Sequence, residues 1–225
     1  MSLFIVATPI GHKGDLTERA KQVLSDADLI IGEERRELMP FLKTLNLHEK
    51  KCDFLNEHSK KEDLAFFLKE CEEKSVALVS DCGTPGFCDP GAELVALCRQ
   101  KNIKIIPIPG ASSLMAVLSV SGLPLKQFVF CGFLSSEKSL RDTQVKELRS
   151  EKRPVVLMDT PYRLSRLLSE LSLAMPTRNA VLGLDLTQPT EEIVFGTLTR
   201  LSSLFTDRKA EFILILEGNE SFNRK

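Results

Sequence analysis

The 225-residue chain has almost no net charge: 30 basic residues stand against 31 acidic ones, leaving −1 at pH 7. This removes any whole-chain electrostatic argument for nucleic acid, though not a local basic patch. Its six cysteines (52, 71, 82, 88, 98 and 131) form no CxxC pair, and the three histidines are remote from them in sequence. With metal-type spacing missing, no metal site is expected, and the thiols are expected to be reduced. The longest weakly polar stretch, 111–125, is too short and too rich in serine to span a membrane. Residues 1–8 lack the basic start and small-residue cleavage pattern of a signal peptide, so a cytoplasmic setting is expected. The phosphate-loop signature of nucleotide hydrolases is absent, and so is the full dinucleotide fingerprint. There is no internal repeat and no low-complexity segment.

What the chain does have is one pattern three times over: an apolar strand-like run that ends in glycine and proline. Val76 to Val79 leads into Asp81-Cys82-Gly83-Thr84-Pro85-Gly86-Phe87-Cys88-Asp89-Pro90-Gly91. Leu3 to Ala7 leads into Thr8-Pro9-Ile10-Gly11, and Ile103 to Ile106 into Pro107-Ile108-Pro109-Gly110-Ala111-Ser112-Ser113. Glycine permits positive φ and close approach of backbone, proline fixes direction, and ligands of open α/β sheets collect at the carboxyl ends of strands. If the three strands are parallel, the loops share one edge and form a pocket lined mainly by main chain. A tight strand-to-helix turn, with Asp89 capping a helix that begins near Pro90, is the simpler reading of the longest loop.

The first half alternates strand and helix. Helices are expected from about Asp15 (Leu16, Ala20, Val23 and Leu24 buried), over Glu62 to Glu73, over Pro90 to Gln100 and over Ser112 to Ser121, with a short strand at Leu29-Ile30-Ile31. This alternation predicts a parallel sheet covered by helices on both faces. The second half changes rhythm. Strands are expected over Phe128 to Phe133, Pro154 to Met158, Ala180 to Leu186, Glu192 to Phe195 and Glu211 to Leu216. Helices are expected over Glu137 to Arg149, after the Thr160-Pro161 start signal, and around Leu198 to Phe205. Composition is ordinary for a globular chain, 43% hydrophobic and 27% charged, and the length suits one large domain or two small ones. Gly122-Leu123-Pro124 is the best hinge, which predicts domains 1–123 and 124–225 with a cofactor cleft between them.

The loops are neutral, and the acids beside them would repel phosphate, so a neutral or cationic ligand fits better. A sulfonium cofactor with adenosine and amino-acid ends has that character. The motifs Val6 to Gly11, Asp15 to Ala20, Ser80 to Gly91, Pro109 to Ser112, Ser121 to Pro124 and Glu217-Gly218 together resemble the tetrapyrrole methylase superfamily. Within it they are most similar to the ribosomal small-subunit RNA 2'-O-ribose cytidine methyltransferases. The resemblance implies a two-domain α/β fold with a mostly parallel N-terminal sheet and a mixed C-terminal one, S-adenosylmethionine as cofactor, and a homodimer. It also implies cofactor contacts at Pro9, Cys82, Gly83, Thr84, Phe87, Ser112, Ser113, Met158 and Leu186. For Met158 and Leu186, ordinary core packing at a strand end is the other reading.

Several positions depart from the ribosomal RNA branch. Gly11-His12-Lys13 stands where that branch carries Asn-Leu after the glycine, Glu33-Glu34-Arg35-Arg36 where it carries Glu-Asp-Thr-Arg, and Asp159-Thr160-Pro161-Tyr162-Arg163 where it carries Glu-Ser-Pro-His-Arg. Thr160 to Arg163 and Asp185-Leu186-Thr187 look more like a short branch of the same family. The cofactor positions are hardly touched; the departures concern the methyl acceptor. A ribose hydroxyl needs its proton accepted, which makes Glu33, Glu34 and Asp89 the candidate bases, with Arg36 a phosphate or orientation contact on the ribosomal RNA. Two other functions remain open at this level. Thr187-Gln188-Pro189 and Phe195-Gly196-Thr197-Leu198 argue for a tetrapyrrole methyltransferase, and a non-catalytic binding protein would also keep the fold.

Overall fold

A computed structural model describes residues 1–219. Packing divides the chain into two units, Met1–Ser112 and Ser113–Lys225. The first contains, in order, β1 (Ser2–Val6), α1 (Glu18–Asp26), β2 (Leu29–Gly32), α2 (Arg35–Thr44), β3 (Cys52–Phe54), α3 (Lys61–Glu73), β4 (Ser75–Leu78), α4 (Ala92–Gln100) and β5 (Ile105–Ile108). Its sheet has the order β3-β2-β4-β1-β5, and every neighbouring pair is parallel.

The sequence builds this sheet through alternation. Along β2, Leu29 and Ile31 face α3 and α4 with Leu64, Phe67, Leu94 and Cys98, while Ile30 faces α1 and α2 with Leu24, Leu38 and Leu42. β4 divides in the same way, with Val76 and Leu78 on one side and Ala77 on the other. Each such fully buried aliphatic side chain contributes about 1.5–3 kcal/mol. Crossovers toward β3 place their helices on one face and crossovers toward β5 on the other, as right-handed connection requires. β4, β1 and β5 are therefore parallel neighbours whose connections leave from one edge.

Two elements were not expected. α2 begins on Arg35 and Arg36 with no side-chain hydrogen bond from its cap, Glu34, and contains Pro40. Cationic residues at a helix start and an internal proline both argue against helix, and burial of Leu38 and Leu42 outweighs them. β3 is only three residues long, too short to show a period. Three helix starts also differ from expectation. α1 is capped by Thr17, whose Oγ1 accepts from the Ala20 N–H at 3.1 Å. α4 starts at Ala92 after Gly91, with no side-chain cap, so Asp89 does not cap it. At Thr160-Pro161 the proline opens a 3-10 turn, Pro161–Arg163, without a side-chain cap from Thr160.

The second unit contains α5 (Ser113–Val120), β6 (Val129–Phe133), α6 (Lys138–Ser150), β7 (Val155–Asp159), α7 (Leu164–Ala174), β8 (Asn179–Leu184), β9 (Glu192–Thr197), α8 (Leu198–Leu204) and β10 (Phe212–Leu216). The sheet order is β6-β7-β10-β8-β9, parallel between β6 and β7 and antiparallel elsewhere. One face packs Val155, Leu157, Leu182, Leu214 and Leu216 against Leu164, Leu167, Leu168, Leu171, Leu198 and Leu201 of α7 and α8. α5 packs against β10, with Val117 reaching within 3.0 Å of where a Gly183 Cβ would stand. Because α5 is held by that sheet, the division falls after Ser112 rather than at the Gly122-Leu123-Pro124 segment expected as the hinge.

Gly91 provides a test of the packing in the first unit. Its φ is +118°, and a Cβ there would lie 2.6 Å from Leu78 Cδ2. Gly91→Ala is expected to lower the urea unfolding midpoint, at a cost of about 1–3 kcal/mol from the disfavoured backbone region. An unchanged midpoint would contradict the tight seating of the β4–α4 turn on its strand.

Candidate functional site

The three special loops of the first unit are bonded to one another. The Thr8 N–H donates to the Gly83 carbonyl at 2.8 Å, and the Gly83 N–H donates back to the Thr8 carbonyl at 3.2 Å. Thr8 Oγ1 also donates to the Ser80 carbonyl at 3.3 Å, and Ser80 Oγ to the Cys82 carbonyl at 3.2 Å. Thr84 Oγ1 donates to the Ala111 carbonyl at 3.0 Å, tying in the loop after β5. Both Thr8 and Ser80 are buried. Gly83 has φ +82°, and a Cβ there would crowd Ile10 Cγ2 at 3.2 Å, so a side chain is excluded where the loops meet. The result is a rigid rim of main chain from which Pro9, Cys82, Gly83, Thr84, Phe87 and Ser112 emerge, with Phe87 60% exposed.

The acids gather beside this rim. The Glu34 N–H donates to Asp81 Oδ1 at 3.2 Å, joining the end of β2 to the β4 loop. Glu33, Glu34, Cys88 and Asp89 line one cavity of 440 Å³ with Asn56, Glu57 and His58. Burial, helped by the charges of Asp81, Asp89 and Glu34, raises the Glu33 pKa to about 7. Burial also raises Asp89, and Asp81 adds to it. Asp81 is raised by burial, against the pull of the Glu34 N–H. Arg36 lies instead on the outer first turn of α2, 3.5 Å from Glu37 and mostly exposed, apart from the residues that line the cavity.

In the second unit the structure places Met158 and Leu186 on one sheet face. Met158 pairs with Ile213, and Ile213 with Gly183. Leu186 Cδ2 lies 3.2 Å from the position of a Gly183 Cβ. Leu186 follows Asp185 (φ +45°) and precedes Thr187 (φ +62°), and a β-branched residue in that region carries strain. The kink is fixed by Asp185, which accepts from the Glu211 N–H at 3.0 Å, and by Glu191, which accepts from the Thr187 N–H at 2.6 Å. Ser113 opens α5 on the same unit.

Three features of these surroundings escaped the sequence reading. Thr8 and Ser80 hold the loops together, and buried polar residues at strand ends were the available signal. Asp81 belongs with the candidate bases, a long-range meeting with no local sign. A buried network joins Arg141 to Asp159 (3.5 Å) and Glu170 (2.5 Å), fastening the end of β7, and Arg141 had looked like one more polar position on α6.

Loops of this kind, with Gly83 leaving no room for a side chain and acids nearby, suit a cationic ligand held by main chain. The chain belongs to the tetrapyrrole (corrin/porphyrin) methylase family, whose model matches residues 2–202, and is thus a methyltransferase that uses S-adenosylmethionine. It is 38% identical over 221 residues to "Ribosomal RNA small subunit methyltransferase I" of Synechocystis, covering 96% of this chain and 78% of that one. A protein of the same name from Leptospira biflexa is 36% identical, covering 95% and 90%. Among solved structures, uroporphyrin-III C-methyltransferase from Thermus thermophilus, complexed with S-adenosylhomocysteine, superposes with a TM-score of 0.65 at 17% identity, covering 96% and 97%. That likeness shows the shared fold. Among the described residues no helix is long and apolar enough to cross a membrane.

Glu33 supplies a stability test. Its pKa is raised in the fold from 4.5 to about 7, so between those values the native state binds more protons than the unfolded one, and stability falls as pH rises. Replacing it by Gln removes this dependence. Glu33→Gln is expected to melt higher than the parent above pH 7, with the gap closing as pH falls toward 4.5. Parallel melting curves at all pH values would show that Glu33 is not held in its neutral form by the fold.

Proposed function

We propose that this chain methylates the 2'-hydroxyl of a ribose in small-subunit ribosomal RNA. The acceptor class is supported by the identity to proteins named for ribosomal RNA methylation over nearly the whole chain. The observation that carries the hydroxyl chemistry is Glu33: a carboxylate at the rim of the Asp81 to Gly91 loop with its pKa near neutrality. A base works best when its pKa is close to the working pH, because it is then both available and strong enough.

In this reading Pro9, Cys82, Gly83, Thr84, Phe87, Ser112, Ser113, Met158 and Leu186 are the residues that contact S-adenosylmethionine. The bound cofactor supplies an electrophilic methyl group. Rigid loops orient the acceptor and its partner, a contribution that effective molarities put at up to about 7–11 kcal/mol. Glu33 takes the hydroxyl proton as the oxygen is methylated. Burial, with the charges of Asp81, Asp89 and Glu34 added to it, sets the affinity of Glu33 for that proton, and Arg36 guides RNA phosphate from the outer turn of α2. A homodimer, as the resemblance implies, and a cytoplasmic setting belong to the same reading.

Reverse transcription of small-subunit RNA at low nucleotide concentration tests it. A stop present in the parent strain should vanish when the gene is deleted and return with the wild-type gene, but not with Glu33→Gln. An unchanged stop pattern in the deletion strain, together with transfer to porphyrinogens by the purified protein, would move the acceptor to tetrapyrroles.

A further inference from the structure

The second unit carries an exposed aromatic surface that the cofactor residues do not use. Phe212 pairs with both Asp159 and Leu184, so the loop after β7, the loop after β8 and the loop before β10 share one edge of the sheet. On that edge stands Tyr162, the only tyrosine of the chain, 76% exposed on its 3-10 turn. Lys209 Nζ, from the loop before β10, sits 5.0 Å from the ring centroid.

Tyr162 is exposed, yet the turn that carries it is held in place. Pro161 fixes the turn, the Thr160 N–H bonds to Asp159 Oδ1 at 2.9 Å, and Asp159 is fully buried between Arg141 and Arg163, each at 3.5 Å. Arg141 is itself anchored to the Leu134 and Ser135 carbonyls at 3.4 and 3.3 Å. A pre-ordered ring pays little entropy when it is stacked upon.

The charge around it is positive. Arg141, Arg163, Arg166 and Lys209 face only Asp159 and Glu170 in the described ion pairs, four cations against two anions, on a chain whose total is −1. Arg163 and Arg166 keep 39% and 59% of their side chains exposed. The other side of the edge is different: Arg208 is taken up by Asp185 and Glu192, at 3.8 and 2.6 Å. The excess of cations over anions in these pairs therefore lies on the Tyr162 side.

A flat ring with one face against a lysine and flanking guanidinium groups matches the chemistry of an unpaired nucleotide: the base stacks on the open face and phosphates meet the cations. A duplex, whose base faces are covered, offers nothing to the ring. We propose that Tyr162, with Lys209, Arg163 and Arg166, stacks an unpaired base of the RNA substrate and so sets which single-stranded segment reaches the methylation site. This rests on the ribosomal RNA reading of the function.

Steady-state methylation of small ribosomal subunits that lack the modification tests it, reading KM for the subunit, kcat and KM for S-adenosylmethionine. Tyr162→Ala should raise the subunit KM roughly ten-fold, as loss of one stacked base does, and leave the cofactor KM unchanged. Tyr162→Phe should behave as the parent, because the ring and not the hydroxyl is needed. Lys209→Ala should weaken binding and reduce the slope of log affinity against log salt by about 0.7, the value for one single-strand phosphate contact. A parent enzyme that methylates subunits, with Tyr162→Ala and Lys209→Ala showing its subunit KM, would overturn the stacking surface and leave the ribosomal reading standing. A parent that transfers no methyl to any RNA would overturn both. Tyr162 is largely exposed, so its truncation leaves the core intact, and an unchanged melting temperature confirms that for each variant.

Discussion

The pair of main-chain hydrogen bonds between Thr8 and Gly83 makes one surface of two strand ends. Each loop alone is rich in glycine or proline, and a free glycine-rich loop loses much conformational entropy when a ligand orders it. Here the loss is met during folding. β1 and β4 are already paired in register from Ser2 to Ile5, and beyond the strands the reciprocal Thr8–Gly83 pair, a pattern that the slanted bonds of a parallel ladder do not have, joins the two loops. Thr84 then extends the connection to the β5 loop through Ala111. The buried hydroxyls of Thr8 and Ser80 satisfy carbonyls that would otherwise be stranded where the sheet ends. This lock produces a rim of main chain in fixed positions, and beside it the cavity in which Glu33 and Asp89 meet.

The second unit reaches rigidity by another route. Its loops share the main-chain bond from the Asp185 N–H to the Glu211 carbonyl at 2.8 Å and add side-chain charge and strain. Asp185 and Thr187 hold left-handed backbone that costs on the order of 1–3 kcal/mol each, and Asp185 and Glu191 fasten that kink through backbone N–H groups. At the end of β7 a buried Asp159 between two arginines does the same for the Tyr162 turn. Removing one partner of such a pair would leave a charge stranded in the interior, which is costly, so the turn is difficult to loosen piecemeal. The arrangement concentrates strain and buried charge along the edge where the proposed cofactor residues Met158 and Leu186 stand.

Much of the first unit was legible because its signals are local. Strand runs ending in glycine and proline gave the three loops, and parallel alternation gave their shared edge. The helix at Arg35 was hidden because its cap, its first residues and Pro40 all argue locally against it, and only burial of Leu38 and Leu42 argues for it. The convergence of Glu33, Asp81 and Asp89 depends on β2 and β4 being neighbours, which no local pattern states. In the second unit the strands were readable, yet the division of the chain fell elsewhere: α5 looked like the last helix of the first half, and its packing on β10 assigns it to the second. Arg141 was invisible for a related reason, since a buried arginine on a polar helix differs from an exposed one only through distant partners.

For the rim to serve as a preformed cofactor site, the Thr8–Gly83 lock must exist before the cofactor arrives. Amide hydrogen exchange at Thr8 and Gly83 in the cofactor-free protein tests this directly. The lock predicts protection comparable to that of the β1 and β4 amides, with little further gain when S-adenosylhomocysteine is added. Exchange as fast as in an open loop, slowed only by the ligand, would contradict it.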